Sequence, residues 1–409
     1  MYTINLSKEL QKSSHEVTIL YPAVLQDKEP HYFETIHHKG QNVVQFNIYD
    51  KDAPVRSDFY NPSFDEPFQN YLSSQDFDLV HFQHLYGLSA NWVSIANSFG
   101  LPVFLKIDDM FFYCRQIHLT ENGKTYCSGP ESIDKCFNCL NSKNNKMTDE
   151  ATKLHEYLTF RKEFLQKIFQ QVDFVHSTSH FLKRTSIENG FNNSEFHVIP
   201  TGISPFKVLK EKAREDEAIR IAFLGDIDAR KGIQDFLAAI EGYQQKSIGH
   251  KQKTNLEFVI YGHHSNNDLY HDMLTRIKNL KNVEYKGPFS PEDRSRIFSE
   301  IDLFVMSSIG ENYPFIFREA LFANVPVVAP EIAGVPEIVE NGGNGFLYPP
   351  GDVQALGSIF LKLAKNPDIL KELDPASDEV KLIATEVKEL EKEYSRVILS
   401  SCSQAAQRV

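Results

Sequence analysis

Glu311-Asn-Tyr-Pro-Phe-Ile-Phe-Arg-Glu319-Ala follows an apolar run, Asp302-Leu-Phe-Val-Met306. Two carboxylates with seven residues between them flank a proline and a helix-like pattern. That arrangement suits gripping a sugar and its nucleotide together. Pro314 fits the first turn of a helix, where its missing N–H has no intrahelical partner to lose. The remaining N–H groups of that turn, with the helix dipole, form an anion site. Glu319, one to two turns in, is spaced to accept hydrogen bonds from ribose hydroxyls, and Glu311 at the mouth from a hexose. The competing reading is an acidic helix start that only complements the dipole.

Cys114, Cys127, Cys136 and Cys139 have the spacing C-x12-C-x8-C-x2-C in a stretch rich in Gly, Asn, Ser and charge. Four thiolates suit a closed tetrahedral zinc site that staples a loop with no core of its own. The alternatives are four unliganded thiols or, with a poorer spacing match, an iron–sulfur cluster. Cys402 reads as a tail cysteine. His81 and His84 are three apart, a metal-ligand spacing that more often marks hydrogen-bonded loop residues. Ser177, Thr178 and Ser179 either donate to sugar hydroxyls or cap the next helix.

These residues need a scaffold, and the chain has the length for one. At 409 residues two domains fit better than one, each able to bury a core. The net charge of −12 argues against a general nucleic-acid binder, though not against a small phosphate site of backbone amides and a few cations. No stretch reads as a membrane span or a leader. A cytoplasmic protein, with room for peripheral contact at the inner face of a membrane, is the default expectation.

Met1 to about Leu25 reads as helix then strand, the strand being His15–Pro22. Apolar runs follow at Asp78–Phe82, Leu101–Ile107, Val172–Ser177 and Phe196–Pro200, with a helix around Ser89–Ser98. Beyond the charged, linker-like segment Lys207–Glu217 come Arg220–Gly225, Leu256–Gly262, Val283–Gly287, Asp302–Met306 and Val325–Ala329. A last long helix is expected at roughly Asp378–Leu399. Strands alternating with helices at this spacing predict an α/β protein of two doubly wound parallel sheets. Ligands in such sheets bind beyond the carboxyl ends of the strands.

In its motifs the chain resembles a family 4 glycosyltransferase of the GT-B kind. The resemblance is most specific over Phe-Leu-Gly225…Lys231-Gly232, Val-Ile-Tyr-Gly262, Tyr-Lys-Gly287-Pro-Phe, Glu311…Glu319-Ala, Ile332-Ala-Gly334-Val-Pro-Glu337 and Gly345…Gly351-Asp352. It implies two Rossmann-like domains facing a cleft: residues 1–206 on the acceptor side, with a cysteine-rich loop at 113–145, and 207–376 for the nucleotide sugar. Residues 377–409 would form a helix crossing back to the first domain. It further implies that Lys231 contacts the donor diphosphate, where the alternative is a solvated lysine at a helix start. The amides of Tyr313, Phe315 and Ile316 would meet the phosphates, and Lys286–Phe289, including Gly287, would edge the nucleobase. Gly334 would permit close approach or merely turn the chain. Some family 4 sequences carry a similar cysteine loop, with Cys114 in the matching place.

Three departures from the family pattern stand out. Asp226 follows Gly225 where a second phosphate-binding arginine is usual, leaving Arg230 as a substitute. Asp108 replaces the histidine that usually touches the donor sugar. The first domain also starts inside the helix matched by Tyr2–Gln11, without the usual opening strand. The expectation is a retaining hexosyltransferase acting from a nucleotide diphosphate sugar onto a glycan or lipid-linked hydroxyl, with no catalytic divalent cation. Its rivals are a catalytically impaired binding or partner subunit and a nucleotide-sugar epimerase.

Overall fold

The computed structural model describes residues 2–50, 57–121, 125–141, 148–209, 218–248, 255–376 and 380–407. Most of the linker-like segment (210–217), parts of the cysteine-rich stretch (122–124 and 142–147), the start of the last predicted segment (377–379) and the side chain of Cys402 lie outside them. The chain divides into two compact units. One comprises Met1–Ile117, Gly129–Ser204 and Lys381–Val409; the other, His118–Ser128 and Pro205–Val380.

The first unit opens with α1 (Tyr2–Lys12) and β1 (Thr18–Ala23), followed by β2 (Phe33–His38) and β3 (Gln41–Asn47). These strands make one sheet in the order β1-β3-β2, with β1 parallel and β2 antiparallel to β3. The β2–β3 hairpin is absent from the sequence reading, although Lys39-Gly40 signals it. Both residues have positive φ, 52° and 77°, as a two-residue hairpin turn of the primed type requires. After α2 (Asp65–Ser73) come β4 (Val80–Phe82), α3 (Trp92–Ser98) and β5 (Val103–Ile107). A small hairpin, β6 (Thr120–Glu121) and β7 (Thr125–Tyr126), belongs to the second unit. The first unit resumes with α4 (Ile133–Asn141), α5 (Thr148–Phe169), β8 (Phe174–Ser177), α6 (His180–Glu188) and β9 (Phe196–Val198). Its second sheet, β4-β5-β8-β9, is wholly parallel. The unit thus carries two sheets where the sequence reading expects one.

The second unit holds six parallel strands: β10 (Ile219–Leu224), β11 (Leu256–Tyr261), β12 (Val283–Gly287), β13 (Leu303–Val305), β14 (Val327–Pro330) and β15 (Gly345–Tyr348). Their order is β12-β11-β10-β13-β14-β15. Along β10, Ile221 and Phe223 enter one core cluster while Ala222 and Leu224 enter the other. Burial on both faces explains why Ile221–Leu224 is an unbroken apolar run. Helices α7 (Ile233–Ser247), α8 (Asn267–Ile277), α9 (Arg294–Glu300), α10 (Phe315–Phe322) and α11 (Val353–Lys365) cover the sheet. In α7, Ile233, Phe236, Leu237 and Ile240 are buried at helical spacing. Each such side chain contributes roughly 1.5–3 kcal/mol of burial.

The C-terminal helix α12 (Ile383–Gln407) belongs to the first unit and packs on α1. Ile383, Val387 and Leu390 join Leu6, Leu10, Phe104 and Phe174 in one core cluster. Among the described residues no helix is long and apolar enough to cross a membrane.

Candidate active site

The strand order of the second unit reverses direction between β10 and β13. Connections run one way to β11 and β12 and the other way to β14 and β15. In parallel α/β sheets that reversal opens a crevice at the carboxyl ends of the two central strands. Lys231 comes from the loop after β10 and Glu311 from the loop after β13, and Lys231 Nζ lies 2.5 Å from Glu311 Oε1.

Backbone and hydroxyl contacts hold the two loops together. Ser307 Oγ donates to the Gly232 carbonyl at 2.6 Å, and Ser308 Oγ and the Ile309 N–H both donate to the Arg230 carbonyl at 2.9 Å. Gly232 has φ 75°, and a Cβ there would stand 1.8 Å from the Ser307 carbonyl oxygen. Only glycine satisfies both conditions. The Lys231 N–H donates to Asp228 Oδ1 at 2.8 Å, which fixes the turn just before α7. Gly262 is needed in the same way, since a Cβ there would lie 1.9 Å from the Gly225 carbonyl oxygen. Gly225 differs: a Cβ would meet Phe223 and the Lys231 stem at ordinary distances of 3.8–3.9 Å.

The other expected residues occupy varied settings. Asp226 is exposed. The Arg230 guanidinium, the proposed substitute cation, meets His118 Nε2 at 2.5 Å and Asp228 Oδ2 at 3.8 Å. Pro314 takes the N-cap of α10 with extended backbone, φ −65° and ψ 131°, one position earlier than a first-turn proline. Phe315 and Ile316 therefore open the helix, and their N–H groups have no carbonyl within it. Glu319 lies in the second turn of α10 and pairs with Arg294 Nη1 of α9, while Arg294 Nε donates to the Pro291 carbonyl at 2.7 Å. Burial raises the Glu319 carboxyl above its ordinary range, and Arg294 acts against that rise. The guanidinium of Arg318, buried, lies 4.6 Å from both the Tyr313 and Phe315 rings and packs the start of α10.

Gly287 has φ 91° with open space where a side chain would project, and its carbonyl accepts from the Gly262 N–H at 3.0 Å. Gly334 has an unremarkable φ of −87°. The left-handed turn of that loop falls on Ala333, φ 46°.

In the first unit, Asp108 stands just past β5, its Oδ2 3.4 Å from Lys106 Nζ. Lys106 is buried, its ammonium 3.7 Å from the Tyr2 ring centroid. The Tyr2 hydroxyl donates to Glu386 Oε1 at 2.6 Å, and the Gly202 N–H to Glu386 Oε2 at 2.7 Å. His81 is held at Nδ1 by the Tyr394 hydroxyl, 2.7 Å, and at Nε2 by His176 Nε2, 3.0 Å. Burial, then the charge on Lys106, lowers the His81 imidazole to about 3. His84 Nε2 meets Asp109 Oδ2 at 2.9 Å. Ser179 caps α6, accepting from the Leu182 N–H at 3.2 Å.

Cys114, Cys136 and Cys139 belong to the first unit and Cys127 to the second. Among the described residues no group of three or more His, Cys, Asp or Glu is placed to hold a metal ion. Cys139 Sγ instead accepts from Gln116 Nε2 at 3.5 Å. These thiols do not fit the expected zinc site.

Two family models match the chain: Glycosyltransferase Family 4 over residues 1–205, and Glycosyl transferases group 1 over 218–366. The chain belongs to glycosyltransferase family 4. Among curated relatives of this family 4 protein is the amylovoran biosynthesis glycosyltransferase AmsK of Erwinia amylovora, 28% identical over 214 residues, 50% of each chain. The family 4 chain thus spans about half the length of the curated relatives it matches. Sucrose-phosphate synthase from Thermosynechococcus elongatus superposes with a TM-score of 0.60 at 15% identity, covering 99% of this chain and 92% of that one. Anabaena HepE in complex with UDP and glucose gives 0.50 at 14%, covering 90% and 86%. These likenesses establish the GT-B fold, α/β with two Rossmann-like domains.

Sequence reasoning missed Arg294, Ser307, Ser308 and His118. Asp228 had a signal, since an Asp three residues before Lys231, in the turn ahead of α7, has turn spacing. His118 had none, being 112 residues from Arg230.

Proposed function

We propose that this protein is a retaining glycosyltransferase that moves a hexose from a nucleotide diphosphate sugar to a hydroxyl of a glycan or lipid-linked acceptor. The observation carrying this reading is the Lys231–Glu311 pair at the reversal point of a parallel sheet, ahead of the α10 N-terminus. Lys231 and the amides of Phe315 and Ile316 would take the diphosphate, Tyr313 would flank it, and Glu311 would take hexose hydroxyls. Glu319 would take the ribose, exchanging part of its contact with Arg294, and the Lys286–Phe289 segment would edge the base. HepE, whose structure holds UDP and glucose, supports a nucleotide-sugar donor.

In the proposed step the bond between the anomeric carbon and the diphosphate oxygen breaks as the acceptor oxygen bonds to the same face. The acceptor proton passes to a phosphate oxygen, so no protein nucleophile is required. Lys231 and the α10 amides stabilise charge that grows on the departing diphosphate and therefore bind the transition state more tightly than the ground state. Asp108 is proposed to accept hydrogen bonds from sugar hydroxyls on the first unit. No step runs through a divalent cation or zinc. A cytoplasmic site of action, peripheral to the membrane where the acceptor is lipid-linked, completes the proposal.

A second reading, a nucleotide-sugar-binding subunit without turnover, is favoured by exposed Asp226 in place of a cation and by Arg230 being turned to His118 and Asp228. Incubation with a panel of UDP- and GDP-sugars, with and without saccharide acceptors, separates the two. Transfer lost in both Lys231→Ala and Glu319→Ala supports the enzyme. Saturable nucleotide binding without turnover supports the second reading, and conversion of the sugar nucleotide without acceptor identifies an epimerase.

A further inference from the structure

The segment His118–Ser128 leaves the first unit in sequence and clusters with the second. Its anchoring is extensive. Leu119 and Thr120 are buried, the Leu119 carbonyl accepts from the Cys127 N–H at 2.7 Å, and Tyr126 packs against the second unit's core cluster that holds Phe304 and Phe317. At its start, His118 touches both loops that present the candidate pair. Its Nε2 lies 2.5 Å from Arg230 Nη1, one residue before Lys231. Its carbonyl oxygen would be only 2.9 Å from a Cβ placed on Gly310, one residue before Glu311, and Thr120 Cγ2 only 3.1 Å. The absence of a side chain at Gly310 is what admits the segment there.

We infer that His118 is a positioning residue that braces the Lys231 and Glu311 loops against each other and, resting on the reading of this site as a nucleotide-sugar site, sets its grip on the donor diphosphate. A guanidinium only donates hydrogen bonds, so Nε2 of His118 is the acceptor and the proton resides on Nδ1. The imidazole is therefore neutral in this contact. It fixes the direction of the Arg230 fork, while Asp228 holds both that fork and the Lys231 N–H. Two cations next to each other in sequence are thereby oriented from one anchored segment that no helix or strand of the main sheet supplies.

The test uses the full-length protein with His118→Ala, His118→Gln, Arg230→Ala and the double variant His118→Ala/Arg230→Ala. Affinity for UDP and GDP is read by calorimetry and transfer by kcat/KM, with melting temperature as the fold control. Loss of one charge-assisted contact predicts about a tenfold fall in both readouts for His118→Ala. His118→Gln, whose amide oxygen can accept in place of Nε2, recovers most of that loss. The double variant is no weaker than Arg230→Ala alone, because the two residues act as one. Wild-type values in His118→Ala, no recovery in His118→Gln, or a double variant falling by the product of the singles overturns the inference.

Nitrogen chemical shifts of the His118 ring need no ligand and separate the two readings. An unprotonated Nε2 in a protein without transfer activity leaves the brace standing while the proposed reaction fails. A protonated Nε2 overturns the brace whatever the activity.

Discussion

The Cβ that Gly232 lacks would stand 1.8 Å from the carbonyl oxygen of Ser307. That clearance lets the loop after β10 lie directly on the loop after β13 and brings Lys231 to Glu311. Gly232→Ala must both adopt a φ of 75° and displace Ser307. The expected cost is about 2–4 kcal/mol, seen as a clear fall in the urea midpoint, with loss of any activity carried by Lys231. Unchanged stability would show that the loops do not need this approach.

Lys231 and Glu311 should part company in their phenotypes. Lys231→Ala removes the cation opposite the departing diphosphate, and kcat should fall roughly 100- to 1,000-fold. Glu311→Gln keeps the shape and frees the ammonium from its 2.5 Å partner. UDP or GDP binding should then hold or tighten while sugar transfer falls. Weaker nucleotide binding in Glu311→Gln would remove Glu311 from the sugar side of the site.

Glu319 pairs with Arg294 where both side chains are mostly shielded. Truncating the acid leaves the guanidinium without that counter-charge, so Glu319→Ala should lose about 1–3 kcal/mol of stability. A ribose contact adds a separate fall of about tenfold in nucleotide affinity. Glu319→Ala with Arg294→Met should restore stability without restoring affinity. Recovery of both would mean that Glu319 serves the fold alone.

His81, lowered to about 3 by burial and then by the Lys106 charge, makes the first unit acid-sensitive. Its folded value lies below the unfolded one, so the unfolded chain binds the extra proton. Stability is complete above pH 6.5 and declines as pH falls towards 3. Between pH 6.5 and 5 the loss should be about 2 kcal/mol. Urea unfolding at those two pH values checks it, and His81→Asn should flatten the acid limb. An equal slope in the variant would place the sensitivity elsewhere.

Most of the scaffold could be read from the chain because buried parallel strands leave unbroken apolar runs, as in Ile221–Leu224. The β2–β3 hairpin escaped although Lys39-Gly40 announces it, because its strands are only partly apolar. Of the candidate site, Glu311 and Glu319 stand out by their spacing around Pro314, and Lys231 only by resemblance to the family. Their partners do not: Arg294 reaches Glu319 from another helix, and His118 reaches Arg230 across 112 residues. The cysteine spacing suggests a zinc site, yet among the described residues no group of three or more His, Cys, Asp or Glu is placed to hold a metal ion.

Because His118–Ser128 is donated to the second unit from the middle of the first, cutting the gene at the Ser204–Pro205 boundary will not yield an authentic half-molecule. A fragment spanning 205–380 would leave bare the apolar surface that Tyr126 now covers, and it would be sticky in solution. Dissection of this chain into separate halves would need the eleven-residue piece grafted back as a covalent insert.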